Sequence, residues 1–283
     1  MARSRPFVQV DVFGESALRG NPLAVVLDGE GLTSEEMQAF ARWTNLSETT
    51  FLLPPSARDA ADYRVRIFTP GGELPFAGHP TLGSAHAWRE AGGVPAREGL
   101  VVQECGVGLV ELRVEPDGRL AFAGPATTVT PAAPGTVAAA AAALGVDPGR
   151  IQAAAVLDNG PHWTTLLLDS AETVLALHPD MAALAEVADE VGVVGLHADG
   201  GPADVEVRGF APAIGIPEDP ATGSLNAALA AWLVGEGTLP PAYVAAQGTA
   251  IDRAARIHLS TDASGTTWVA GATRTVVSGT VVL

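Results

Sequence analysis

The chain has 283 residues, 47% hydrophobic and 17% charged, which is material for one large buried core or two of about 140 residues each. A net charge of −16 offers no basic patch for nucleic acid or an anionic membrane, all sixteen basic residues are arginine, and the single cysteine is Cys105. The missing lysine excludes Schiff-base and pyridoxal-phosphate chemistry and the lysine-bearing phosphate loop, and one cysteine excludes an internal disulfide or a multi-cysteine metal site.

The chain opens with "MARSRPFVQVDVF", which lacks a signal-like apolar stretch and reads as a strand. No apolar run approaches the roughly 20 residues of a membrane span, so a cytoplasmic protein is expected. "LTSEEMQAFARWT" predicts an amphipathic helix, with Thr33 and Glu36 as a capping box and Leu32, Met37, Phe40 and Ala41 as its apolar stripe. It hands over to "NLSETTFLLPP", whose only charge is Glu48 and whose second half, Thr49 to Leu53, reads as a buried strand. A carboxylate at that core edge either caps a turn or is held partly dry for a purpose. Next come a strand, "DYRVRIF", an alanine-rich helix after "GHPT", and a meander over 100–124 that turns at Pro116–Asp117–Gly118. "TPAAPGTVAAAAAALGVDPGRI" reads as a linker followed by a surface helix, so a boundary is expected near 125–135.

The second half repeats the first at an offset of 142. "VRIFTPGGELP" (65–75) lies over "VRGFAPAIGIP" (207–217) with five identities, each segment following an alternating strand and preceding an alanine-rich helix. The second helix, "LNAALAAWLVG", is apolar on nearly every face, which means burial all round. The expected fold is α+β, with two pseudo-symmetric halves, each a mostly antiparallel β-barrel wrapped around a central α-helix. The halves would be 1–125, completed by the C-terminal strand 274–283, and 126–273.

Each central helix starts on glycine and small polar residues, Gly78–His79–Pro80–Thr81 and Thr222–Gly223–Ser224. A helix N-terminus carries unpaired amides and about half a positive charge, and glycine there lets a ligand approach the backbone. Two such ends facing one interdomain cleft would hold a carboxylate without lysine. His79, Glu218 and Asp219 add titratable groups near these turns, although a histidine at a helix start is often structural and Asp219 could be a plain N-cap.

"DVF…GNPLAVVL", "NLSETTF", "FTPGGELPFAGHPTLGSAHA" and "GFAPAIGIPEDPATGS" together resemble the PhzF-like family of phenazine-biosynthesis isomerases, from about residue 8 to the C-terminus. The resemblance implies the diaminopimelate-epimerase fold, with the active site between two similar halves. It implies Glu48 as catalytic acid/base, His79 and Asp219 as further catalytic groups, and Gly78, Gly223 and Ser224 as the substrate-binding cradle. Cysteine-dependent relatives on this fold carry a thiol at the first turn of each central helix. Ala77 and Thr222 stand there, so two-thiol racemisation is not available.

The leading expectation is a cofactor-independent isomerase, with no metal, that moves a proton on a small carboxylic acid by way of Glu48. A partly desolvated glutamate would have a raised pKa suited to that work. Amino- or hydroxy-acid epimerisation and a non-catalytic small-molecule binding protein are the alternatives. The expected partners are a small carboxylate substrate and a second copy of the chain as a homodimer, with no nucleic acid and no membrane.

Overall fold

The computed structural model describes residues 2–57 and 59–283, which form a mixed, mostly stranded structure with few helices. It divides into two compact units, one running to Ala123 and taking in Ala270–Leu283, the other Gly124–Val269. Elements are numbered along the whole chain.

The first unit contains β1 (Ser4–Val12), β2 (Asn21–Val26), α1 (Ser34–Thr44), β3 (Glu48–Leu53), β4 (Tyr63–Phe68), β5 (Glu73–Leu74), α2 (Gly78–Glu90), β6 (Leu100–Cys105), β7 (Gly108–Val114), β8 (Leu120–Ala123) and β18 (Thr273–Val282). β18 and β2 flank β1 antiparallel, β3 runs parallel to β2, and β4 is antiparallel to β3. β5 and β6 pair with β4, and β7 and β8 finish the meander. The capping box is present: the Glu36 amide donates to Thr33 Oγ1, and Glu36 Oε2 accepts from the Thr33 amide. Met37, Phe40 and Ala41 of α1 pack on Val26, Phe51 and Phe68. β3 therefore alternates. Phe51 faces α1, while Thr50 accepts a hydrogen bond from Ser84 Oγ of α2 (2.9 Å) on the opposite face. Trp43 stacks on Phe40 yet is 80% exposed, so it is not a core residue.

The second unit contains β9 (Thr128–Pro131), α3 (Pro134–Leu144), β10 (Ile151–Asp158), β11 (His162–Leu168), α4 (Ala171–Leu175), α5 (Met181–Ala185), β12 (Glu190–Leu196), β13 (Val205–Ala211), β14 (Ile216–Asp219), α6 (Gly223–Gly235), β15 (Ala242–Gln247), β16 (Ala255–Thr261) and most of β17 (Thr267–Gly271). Its pairing repeats the first unit's. β10 and β11 are antiparallel, β11 and β12 parallel, β12 and β13 antiparallel, β13 and β15 parallel, and β15 and β16 antiparallel. α2 and α6, each 13 residues long, occupy the same place in the two orders.

One expectation needs correction here. The stretch expected as a linker from Thr130 starts inside β9, because Thr128–Pro131 finds an open edge and pairs antiparallel with β10. The helix expected on the surface, α3, leaves Ala138, Ala139 and Ala142 exposed and buries Ala140, Ala141, Ala143 and Leu144 among β11–β13, α4 and α5. Its alanines gave no amphipathic stripe to read, but their small side chains permit close approach.

Candidate active site

Glu48 opens β3 directly across from Leu23 of the parallel β2. Thr49 behind it is locked to Thr44 at the end of α1, hydroxyl to hydroxyl at 2.8 Å, so the helix end fixes where the strand begins. Glu48 and Thr50 share the α2 face, and there Glu48 Oε2 lies 3.4 Å from His79 Nε2. Both side chains are nearly buried, with 12% and 6% exposed.

His79 is the second residue of α2. Burial holds its pKa down at about 3, and a hydrogen bond with the Pro22 carbonyl only partly opposes this, so at neutral pH the ring is an uncharged imidazole. Asn21 Nδ2, a donor only, faces His79 Nδ1 at 3.5 Å. Nε2 makes no hydrogen bond and faces Glu48 Oε2. The separation is long for a hydrogen bond, as catalytic contacts often are before a ligand tightens them.

Asn21 is itself fully buried and placed by a tight loop. Asp11 accepts hydrogen bonds from the amides of Arg19 (2.9 Å) and Gly20 (3.0 Å). A Cβ on Gly20 would come within 2.1 Å of the Val12 carbonyl oxygen, so only glycine closes this turn. At the start of α2, Ala77 is the N-cap and supplies no side-chain bond, and Pro80 has no amide to offer. The donors of that first turn are thus the Gly78 and His79 amides. Gln103 of β6 steadies the turn, donating to Thr81 Oγ1 (3.0 Å) while accepting from the Tyr63 hydroxyl (2.8 Å).

In the second unit, Asp219 ends β14 and is not the N-cap; Thr222 is. The Thr222 hydroxyl makes no capping bond and instead donates to Asp219 Oδ2 at 2.6 Å. Gln247 ties this corner together. Its Nε2 donates to Thr222 Oγ1 and the Asp219 carbonyl, and its Oε1 accepts from the Thr222 amide and Asn226 Nδ2. No side chain therefore caps Gly223 and Ser224, the first residues of α6. Glu218, one residue from Asp219, points to the other face of the sheet and makes a two-pronged pair with Arg208 (3.0 and 2.8 Å).

The structure thus joins Glu48 to His79 and Gly78 in one unit, and Asp219 to Gly223 and Ser224 in the other. Sequence reasoning missed Asn21, Gln103, Thr222 and Gln247. It also missed Glu190, the first residue of β12, across from Trp163 of the parallel β11 just as Glu48 lies across from Leu23. Gly192, two residues on, faces Leu225 of α6, which puts Glu190 on the α6 side of its strand. Burial raises its pKa, and its carboxylate accepts the His162 amide. The corresponding position beside Glu48 is Pro22, which has no amide to give. The shared offset of 142 could have pointed to Glu190, since it holds for both glutamates. Among the described residues no group of three or more His, Cys, Asp or Glu side chains is gathered to hold a metal ion, and no helix is long and apolar enough to cross a membrane.

The family model described as "Phenazine biosynthesis-like protein" matches residues 10–283. The chain is 37% identical over 288 residues to "Antisense-enhancing sequence 1" of Schizosaccharomyces pombe, covering 96% of this chain and 97% of that one. It is 36% identical over 275 residues to trans-2,3-dihydro-3-hydroxyanthranilate isomerase of Pseudomonas aeruginosa, covering 92% and 91%. In structure it resembles the Bacillus anthracis phenazine biosynthesis protein of the PhzF family, with a TM-score of 0.86 at 23% identity over 99% of this chain and 100% of that one.

Proposed function

The chain belongs to the phenazine biosynthesis-like family and is an isomerase, and within that family we propose that Glu48 moves a proton on a small carboxylic acid without a cofactor. The observation that carries this reading is the Glu48 carboxylate set 3.4 Å from an uncharged His79, at a helix start whose amides no side chain caps. A carboxylate takes a proton from carbon only if a neighbour does not neutralise it. An imidazole that stays neutral fulfils that condition.

In this proposal the amides at the start of each central helix, Gly78 in α2 and Gly223–Ser224 in α6, are carboxylate-binding groups, with the helix ends supplying the positive potential that arginine does not. Asp219, anchored by Thr222, is a second polar group beside the α6 start. The first substrate to try is trans-2,3-dihydro-3-hydroxyanthranilate, on which the P. aeruginosa relative acts by name. One base is enough for a proton shift, whereas epimerisation needs a base on each face of one carbon.

The test is Glu48→Gln, which keeps shape and hydrogen-bonding reach but removes the base. Turnover should fall by at least ~10²-fold while substrate binding persists. Near-normal turnover would return Glu48 to a structural role. Reaction in D₂O is the secondary readout, with label at the reprotonated carbon or retention by internal transfer. Cofactor independence, a cytoplasmic location and a homodimer belong to the same proposal. Absorbance and elemental analysis, cell fractionation and sedimentation of the purified protein test them in turn.

A further inference from the structure

Five buried side-chain polar atoms among the described residues of the second unit have no hydrogen-bond partner, and one of them, on Asn159, lies at the start of α6. Asn159, in the turn between β10 and β11, is 9% exposed. Its Nδ2 donates to the Ser224 carbonyl at 2.9 Å, which pins the side chain against the first turn of α6. That bond also fixes the orientation of the amide, because a flipped group would set oxygen against oxygen. Asn159 Oδ1 is left beside the helix start, buried and with no hydrogen-bond partner. A buried acceptor without a donor is costly, so a residue kept this way points to a donor that arrives from outside the chain.

The surroundings say what kind of donor. The amides at Gly223 and Ser224 attract an anion, and Asn159 Oδ1 beside them is an acceptor only. The pair is complementary to a molecule whose carboxylate sits next to an N–H or O–H. In the first unit the asparagine of the matching turn, Asn21, meets the second residue of α2, His79, as Asn159 meets the second residue of α6, Ser224. There the contact goes side chain to side chain. Here the bond goes to the backbone, and the oxygen is left over.

We infer that Asn159 is a specificity-determining residue, whose Oδ1 accepts a hydrogen bond from the amine or hydroxyl next to the substrate's carboxylate. This rests on the reading that the α6 amides hold that carboxylate. Asn159 positions the ligand and takes no part in proton transfer.

The experiment compares two probes, anthranilate and benzoate, which share a ring and a carboxylate and differ in one ortho amine. Their dissociation constants are measured by calorimetry on the wild-type protein and on Asn159→Ala. Wild type should favour anthranilate by about three- to tenfold, the worth of one net hydrogen bond. In Asn159→Ala that preference should vanish while benzoate binds as before, which also shows that the site has survived the substitution. Should both probes bind and the preference stay in the variant, or never exist in wild type, the inference fails and the carboxylate site stands. Should neither probe bind wild type, the carboxylate site fails and takes the inference with it. A loss of benzoate binding in the variant would make Asn159 structural and overturn the inference as well.

Discussion

The two units share a strand order and differ in where their charges lie. Arg66 and Arg208 occupy the same place in their strands, each over the phenylalanine two residues on and each paired with a carboxylate from the next strand. In the first unit this pair is at the surface, 25% and 41% exposed; in the second it is buried, 5% and 6%. The glutamates that open β3 and β12 show the converse. Glu190 accepts a backbone amide from the strand beside it, whereas the strand beside Glu48 offers a proline. The repeated framework has thus put its arginine–carboxylate pair deep in one copy and at the surface in the other, and has set an amide beside one glutamate and a proline beside the other.

The sharpest way to break this contrast is to neutralise both glutamates separately. Glu48→Gln should lose at least ~10²-fold in turnover and Glu190→Gln less than about tenfold. Steady-state kinetics on the same substrate measure both, and equal losses would overturn the contrast.

Next in size are the arginines. Arg208 satisfies Glu218 and also donates to the carbonyls of Val174 and Leu177 (3.2 and 2.9 Å), so it ties α4 and the segment after it to the sheet. Arg208→Met leaves a buried carboxylate and two carbonyls unanswered and should cost about 3–5 kcal/mol in urea unfolding. A loss near 1 kcal/mol would mean that water reaches the site.

His79 gives a pH-dependent difference that Ser224, its counterpart in α6, cannot show. The folded pKa of about 3 is below the ordinary 6.5, so the folded state binds fewer protons than the unfolded one. Its contribution is complete above pH 6.5 and is lost as pH falls from there toward 3. Between pH 7.5 and 5.0 wild type should lose about 2 kcal/mol more stability than His79→Gln. Parallel stability curves for the two proteins would show that His79 is charged in the fold.

The smallest effect is expected at Arg66. Arg66→Met exposes a carboxylate that water can solvate, and should cost no more than about 1 kcal/mol in the same urea assay.

Much of the framework was legible in residues. The capping box of Thr33 and Glu36, the buried strand after Glu48 and the meander turn at Pro116–Asp117–Gly118 follow local rules that tertiary packing did not override. The repeat was legible too, because Val–Arg–x–Phe and the following proline sit where identical backbone is needed. Less legible were groups whose role depends on what lies across a sheet. Gln247 reads as the polar end of a strand, and only the α6 corner shows it making four hydrogen bonds. Glu218 and Asp219 are neighbours in sequence, yet strand alternation sends one to Arg208 and the other to Thr222. β9 was hidden because a short exposed strand has no apolar alternation, and Thr-Val-Thr-Pro looks like any linker.

The pairing of β1 with β18 has a consequence for how the protein is made. The second unit is one continuous stretch of chain, so a ribosome can release it ready to fold. The first unit is not. Residues Ser4 to Val12 are synthesised early, but the strand that pairs with them from Val282 back to Thr273 emerges only after all of the second unit. Until then β1 presents nine residues of bare backbone along the edge of the sheet that carries Glu48. Nascent chains therefore expose a sticky margin for most of their synthesis, and a chaperone that shields strand edges would find its longest-lived target there.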